Sequence, residues 1–216
     1  MKNETTVVYV VRHGESEGNR RDAFVGHTDV ELTDIGRAQA RNVAAYFENI
    51  TIDAIYSSDL KRAHETAEYT AQTKGLSVMD DPRLREIQAG EWENRTFTEL
   101  ANAYPREYDL WLHDIGRSAC VGGESVAALQ NRVQRAVQEL VCQNPGKTIA
   151  IFCHGTPIRA LKAAWDGVGT EGMKEIPWAS NASVTKAEYS NGIFTVLDYS
   201  IDGFHGELVT KLPENV

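Results

Sequence analysis

The sequence predicts an α/β fold, a three-layer α/β/α sandwich with a mostly parallel central sheet and a small helical insertion over the carboxyl edge of that sheet. Short apolar runs alternate with amphipathic stretches of helical period along the chain. Several of those runs end abruptly in polar, glycine-containing segments, at the strand ends where open α/β sheets hold ligands. No linker, repeat or low-complexity segment interrupts the 216 residues, so a single domain over 1–216 is expected, with 91–121 as an insertion within it.

The first strand is read at Val7, Val8, Tyr9, Val10 and Val11, a continuous β-branched run of the kind covered on both faces. Arg12-His13-Gly14-Glu15-Ser16 follows at once and sits at its carboxyl end. Thr33 is read as the cap of a helix in which Ala40, Val43, Ala44 and Phe47 recur at three- and four-residue spacing. A second strand is expected over 52–56, with Ser58 or Asp59 capping the helix that carries Arg62 in its first turn. The 91–121 stretch mixes Trp92, Phe97, Leu100, Tyr104, Tyr108, Leu110 and Trp111 with many charges and reads as one or two short helices. Its aromatics suit either a substrate wall or anchors that pack a small helical cap. The clearest amphipathic stripe is Val126, Leu129, Val133, Ala136, Val137 and Leu140, starting near Gly122-Gly123-Glu124-Ser125 and stopping before Asn144-Pro145-Gly146. A third buried strand over 148–153 runs into His154-Gly155-Thr156. Strands over 182–187 and 193–197, joined by a turn around Ser190-Asn191-Gly192, are expected to be antiparallel at or near the sheet edge.

Composition narrows the function. With 22 Lys plus Arg against 31 Asp plus Glu, the formal charge is −9, which disfavours nucleic acid and anionic lipid as partners. An anionic substrate must therefore be held by a local cluster of positive groups. Cys120, Cys142 and Cys153 form neither a disulfide framework nor a Cys-x-x-Cys pair and read as buried or semi-buried thiols in a reducing compartment. The apolar run before Arg12 is too short for a signal-peptide core, and no stretch reaches bilayer-spanning length. The expectation is a cytoplasmic chain with no membrane or nucleic-acid partner, its oligomeric state open between monomer and homodimer.

The chemistry-bearing residues gather at the strand ends. His13 and His154 each follow an apolar strand and precede a glycine, a placement that packing alone explains poorly when Arg12 adjoins the first. Arg12 and Arg62, both on rigid elements, present planar donors that match phosphate oxygens. His13 can act as a nucleophile if it is neutral, with one ring nitrogen free and the other donating to a fixed acceptor such as a nearby backbone carbonyl. Glu86 is the best acid in the middle of the chain, and to serve it must hold a proton beside the leaving oxygen. Other signals fall away. The glycines from Gly167 to Gly172 follow a predicted helix rather than a strand, and Gly146-Lys147-Thr148 lacks the upstream glycine of a nucleotide loop. His27, His64, His113 and His205 have no ligand-like spacing, so no metal site is expected.

Arg12-His13-Gly14-Glu15-Ser16 is followed in order by Asn19, Gly26, Asp29, Leu32-Thr33 and Gly36, then by Ser57-Ser58-Asp59-Leu60 with Arg62, Ala63, Glu65 and Thr66. Leu84, Glu86, Ile87, Gly90, Trp92 and Glu93 come next, then Gly122-Gly123-Glu124-Ser125, and finally His154-Gly155. This series resembles the histidine phosphatase superfamily, also called the phosphoglycerate mutase-like family. The resemblance implies that His13 becomes phosphorylated, that Arg12 and Arg62 hold the phosphoryl oxygens, that His154 stabilises the transferring group, and that Glu86 donates the proton. It places Asn19 and Gly155 in the phosphate pocket and implies no cofactor and no metal.

That family holds mutases as well as phosphatases. The arginine that mutases place before the glycine-containing turn is Ala23 here, and the aromatic between the serine and the asparagine is Gly18. No adjacent arginine pair stands between Trp92 and Gly122. The expected activity is hydrolysis of small phosphate monoesters, with cofactor-dependent phosphoglycerate mutation and an inactive phosphate-binding or protein-interaction module as the alternatives. Arg20, Arg21, Phe24, Trp92, Arg95 and Tyr104 are expected to wall the substrate site.

Overall fold

The computed structural model describes residues 4–210. Strand β1 (Thr6–Arg12) leads through the single turn of α1 (Glu17–Arg20) to α2 (Asp34–Tyr46), and β2 (Ala54–Ser57), α3 (Lys61–Lys74) and β3 (Val78–Asp80) form the next unit. Helices α4 (Phe97–Ala103) and α5 (Pro105–His113) lie between this unit and α6 (Val126–Gln143), β4 (Thr148–Cys153) and α7 (Gly155–Trp165). Strands β5 (Val184–Ser190) and β6 (Ile193–Ile201) close the sheet.

Among the described residues the strands form one six-stranded sheet in the order β3-β2-β4-β1-β5-β6. The first four are mutually parallel, whereas β5 pairs antiparallel with both β1 and β6. The apolar strands split their side chains between two faces. Val8, Val10, Tyr56, Ile149 and Ile151 pack with the α6 and α7 side chains, and Tyr9, Val11, Ile55, Ala150 and Phe152 pack with Val43, Phe47, Ala67 and Ala71 of the opposite layer. Each fully buried Val, Ile or Phe among them contributes about 1.5–3 kcal/mol over its exposed state. Every member of the predicted 126–140 stripe is buried on α6.

Local corrections have physical reasons. The second strand starts at Ala54 rather than 52; just before it the Asp53 amide donates to the Thr148 carbonyl and the Asp53 carboxylate accepts the Thr148 amide, each at 2.8 Å, so a side chain takes the place of the backbone acceptor there. Helix α3 has Leu60 at its cap position, without a side-chain cap bond. Asp59 is held by Arg85 at 2.5 Å, and the Lys61 amide is taken at 2.7 Å by Asp29, from a distant loop. Cys142 is exposed, while Cys120 and Cys153 are buried, and burial raises both of their thiol pKa values. The β5–β6 turn uses Asn191 and Gly192 at φ 55° and 83°, the left-handed pair that a two-residue hairpin requires.

Trp92 anchors the segment that carries α4 and α5. It is fully buried, with Phe24, Trp111 and Tyr108 packed edge-on against it at centroid distances of 5.3, 5.9 and 6.1 Å. This cluster fastens the segment over the carboxyl end of β1.

Candidate active site

The parallel register pairs Arg12 with Cys153, so the next residues, His13 and His154, emerge side by side. The His13 amide bonds the Cys153 carbonyl at 3.0 Å, and the His13 carbonyl accepts from Ala182 N and Asn181 Nδ2 at 3.0 and 3.2 Å. The His13 ring is therefore held on a fixed backbone. Its Nδ1 donates to the Gly14 carbonyl at 2.6 Å, which leaves Nε2 with its lone pair. Burial lowers the His13 pKa well below the ordinary imidazole value, and the charges of Arg62 and Arg12 lower it further.

Both arginines are buried. Arg12 donates to the Ala179 carbonyl at 2.5 Å, and its Nε has no partner among the described residues. Arg62 donates to the Thr28 and Gly26 carbonyls at 3.0 and 2.8 Å. Burial brings each guanidinium down to about 10, so both stay charged at neutral pH. The 26–28 loop that holds Arg62 is gathered by Glu93, whose carboxylate accepts the Gly26, His27 and Thr28 amides at 3.1, 2.6 and 3.2 Å. Burial opposes the charge on Glu93, but these donors prevail and lower its pKa.

His154 is completely buried at the cap position of α7. Its Nε2 lies 2.8 Å from the Ser58 hydroxyl, and its Nδ1 is buried without a partner among the described residues. Burial holds its pKa well below the usual range, reinforced by Arg62, His13 and Arg12. The Glu86 carboxylate accepts the Ile87 amide at 2.7 Å and the Thr156 amide at 3.1 Å. Asn19 is fixed by Ser16 N and Asn181 Nδ2, at 3.0 and 3.2 Å.

Arg12, His13, Ser16, Asn19, Arg62, Glu86, Gly155 and Thr156 line a cavity that opens to solvent. Ala23, Phe24, Val25, Phe97, Trp111 and Trp178 complete its lining with apolar surface. Of the expected wall residues only Phe24 lines this cavity. Arg20 is exposed and paired with Glu17 at 2.5 Å, and Arg21 turns back to the Glu17 carbonyl at 3.3 Å. Arg95 bonds the Glu91 carbonyl at 2.8 Å, Tyr104 bonds the Glu91 carboxylate at 2.8 Å, and Trp92 belongs to the core. Short-range charge pairing and packing claimed these side chains. Trp178, Ser58 and Asn181 escaped the sequence reading; Ser58 stood in a quoted motif, but only the register of β2 on β4 brings it to His154.

The histidine phosphatase superfamily (branch 1) matches residues 8–202 of this chain. The chain belongs to that superfamily. Phosphoserine phosphatase 1 of Hydrogenobacter thermophilus is 34% identical over 159 residues, covering 74% of this chain and 75% of its own length. Glucosyl-3-phosphoglycerate phosphatase of Mycolicibacterium vanbaalenii is 32% identical over 206 residues, covering 89% of this chain and 91% of itself. The solved structure of Bacillus stearothermophilus YhfR superposes with a TM-score of 0.89 at 32% identity, covering 93% of this chain and 99% of that one. With these histidine phosphatase superfamily relatives, the chain is a phosphoric monoester hydrolase.

Proposed function

We propose that this enzyme hydrolyses small phosphate monoesters through a phosphorylated His13, without a metal ion. The observation that carries the reading is the locked His13 ring: Nδ1 is committed to the Gly14 carbonyl, which leaves Nε2 free, and the charges of the buried Arg62 and Arg12 act on the ring. Arg12 Nε and His154 Nδ1, both buried and unpartnered among the described residues, suit the oxygens of a phosphoryl group. Donors fixed in this way act without reorganisation at the moment of reaction, and each contributes roughly 10²–10³ in rate.

In the first step the His13 Nε2 lone pair attacks phosphorus. The N–P bond forms as the P–O bond to the alcohol breaks, and Glu86 gives its proton to the departing oxygen. Water then attacks the phosphohistidine, Glu86 takes its proton, the N–P bond breaks, and inorganic phosphate leaves. Arg12 and Arg62 supply the positive charge that a metal pair would otherwise provide.

Hydrolysis rather than mutation is supported by the apolar side of the cavity. Ala23 lines it at the place where mutases carry an arginine. A Cβ at Gly18 would lie 2.4 Å from Val25 Cγ2, so the aromatic of mutases has no room there. A cytoplasmic location belongs to the same proposal, supported by three cysteines without disulfide partners; no helix of the described residues is long and apolar enough to cross a membrane.

The test is phosphate release from an aryl phosphate with and without EDTA, and from His13→Ala. We expect chelator-resistant release that His13→Ala abolishes. Release that stops with EDTA, or survives intact in His13→Ala, overturns the reading. Rapid isomerisation of 3-phosphoglycerate with little phosphate release would make the enzyme a mutase.

A further inference from the structure

The cavity that receives the phosphoryl group changes character away from it. Beside the polar set Arg12, His13, Ser16, Asn19, Arg62, Glu86, Gly155 and Thr156, its lining is Ala23, Phe24, Val25, Phe97, Trp111 and Trp178, and among the described residues no cation besides Arg12 and Arg62 lines it. The arginines nearest to it along the chain are committed elsewhere, Arg20 to Glu17 and Arg95 to the Glu91 carbonyl. Arg159 approaches from outside the lining, with its guanidinium 4.6 Å from the Trp178 ring centroid. A second negative group on the substrate would therefore meet rings, the Glu86 carboxylate or the neutral groups of Ser16, Asn19 and Thr156 instead of a counter-charge of its own, and removing an unpaired carboxylate from water is costly.

The rings are also held in place. Trp178 packs against Trp111 at 6.2 Å and carries Arg159 at 4.6 Å, while Trp111 meets Phe24 at 5.0 Å and the buried Trp92 at 5.9 Å. A wall fixed through such a chain of contacts binds a flat apolar group with little ordering cost.

We propose that the alcohol portion of the substrate is an apolar, planar group of small-molecule size held against Trp178, Trp111, Phe97 and Phe24, and that monoesters bearing a second negative group are disfavoured. This specificity rests on the phosphatase reading above. Binding energy from these rings acts on a part of the substrate remote from phosphorus, so it enters kcat/KM.

The experiment compares alkyl esters, so that leaving-group chemistry does not imitate ring contact: 2-phenylethyl phosphate, glycerol 1-phosphate and O-phosphoserine with the unmodified enzyme. We expect kcat/KM for 2-phenylethyl phosphate to exceed that for each of the others by tenfold or more, equivalent to about 1.4 kcal/mol of transition-state binding. In Trp178→Ala the ratio of 2-phenylethyl to glycerol phosphate falls toward one. O-phosphoserine matching or exceeding 2-phenylethyl phosphate in the unmodified enzyme overturns this specificity and leaves the phosphatase reading standing. Hydrolysis of none of the three removes both.

Discussion

The imidazoles of His13 and His154 meet edge to face, with ring centroids 5.2 Å apart and planes inclined at 61°. Parallel pairing of β1 with β4 produces this contact between residues at opposite ends of the sequence. They are anchored at different ring positions, His13 at Nδ1 by the Gly14 carbonyl of its own loop and His154 at Nε2 by the Ser58 hydroxyl.

The Ser58 contact can be tested alone. Ser58 Oγ accepts the Leu60 amide at 3.3 Å, so its hydroxyl hydrogen is available to His154 Nε2, which would leave the ring proton on Nδ1. Ser58→Ala leaves a buried nitrogen unpaired, at a cost of about 1–3 kcal/mol. We expect a lower Tm and a kcat reduced by about tenfold; an unchanged kcat would show that His154 does not depend on this partner.

Arg62→Lys replaces a fork that spans the Thr28 and Gly26 carbonyls with a single ammonium. A loss of about 100-fold in kcat/KM is expected. Arg20→Lys, an exposed pairing with Glu17, should stay within about twofold of the unmodified enzyme, since surface pairs contribute little. Equal effects would remove Arg62 from phosphoryl binding.

Glu86→Gln separates acid catalysis from binding. With an aryl phosphate the departing oxygen needs little protonation, so the first step should be nearly preserved. With an alkyl phosphate we expect a loss of about 10²–10⁴. Single-turnover rates on both esters decide it, and equal slowing contradicts the acid role.

Stability should depend on pH through the buried rings. His13, His154 and His205 all have pKa values lowered by burial from the ordinary 6.5. The unfolded chain then binds more protons than the folded one below 6.5, so this stability is fully present above that value and is lost as pH falls toward the folded values. We expect Tm to drop between about pH 6.5 and pH 5, by about 2–4 °C for each kcal/mol lost, with a smaller drop in His13→Asn. Carboxylates such as Glu93 enter only below about pH 4.5. A Tm that is flat from pH 7 to pH 5 contradicts neutral buried rings.

The parallel strands and long helices were legible because burial on both sheet faces writes continuous apolar runs, and burial on one helix face writes the 126–140 stripe. Arg12, His13, Glu86 and His154 were legible as polar residues at strand and loop positions within a motif series. The cavity's apolar lining was not. Trp178 lies far along the chain from Phe24 and Trp111, and nothing local marks it as their neighbour. Arg20 and Arg95 looked like substrate contacts because sequence shows their charge, but not the Glu17 carboxylate and Glu91 carbonyl that engage them.

The most direct measurement is acid-quenched rapid mixing of the enzyme with a ³²P-labelled monoester, followed by peptide mapping. We expect acid-labile label on His13 that forms within the first turnover, decays at the rate of phosphate release and is missing from His13→Ala. Phosphate release at full rate with no label on His13 would contradict the phosphohistidine mechanism.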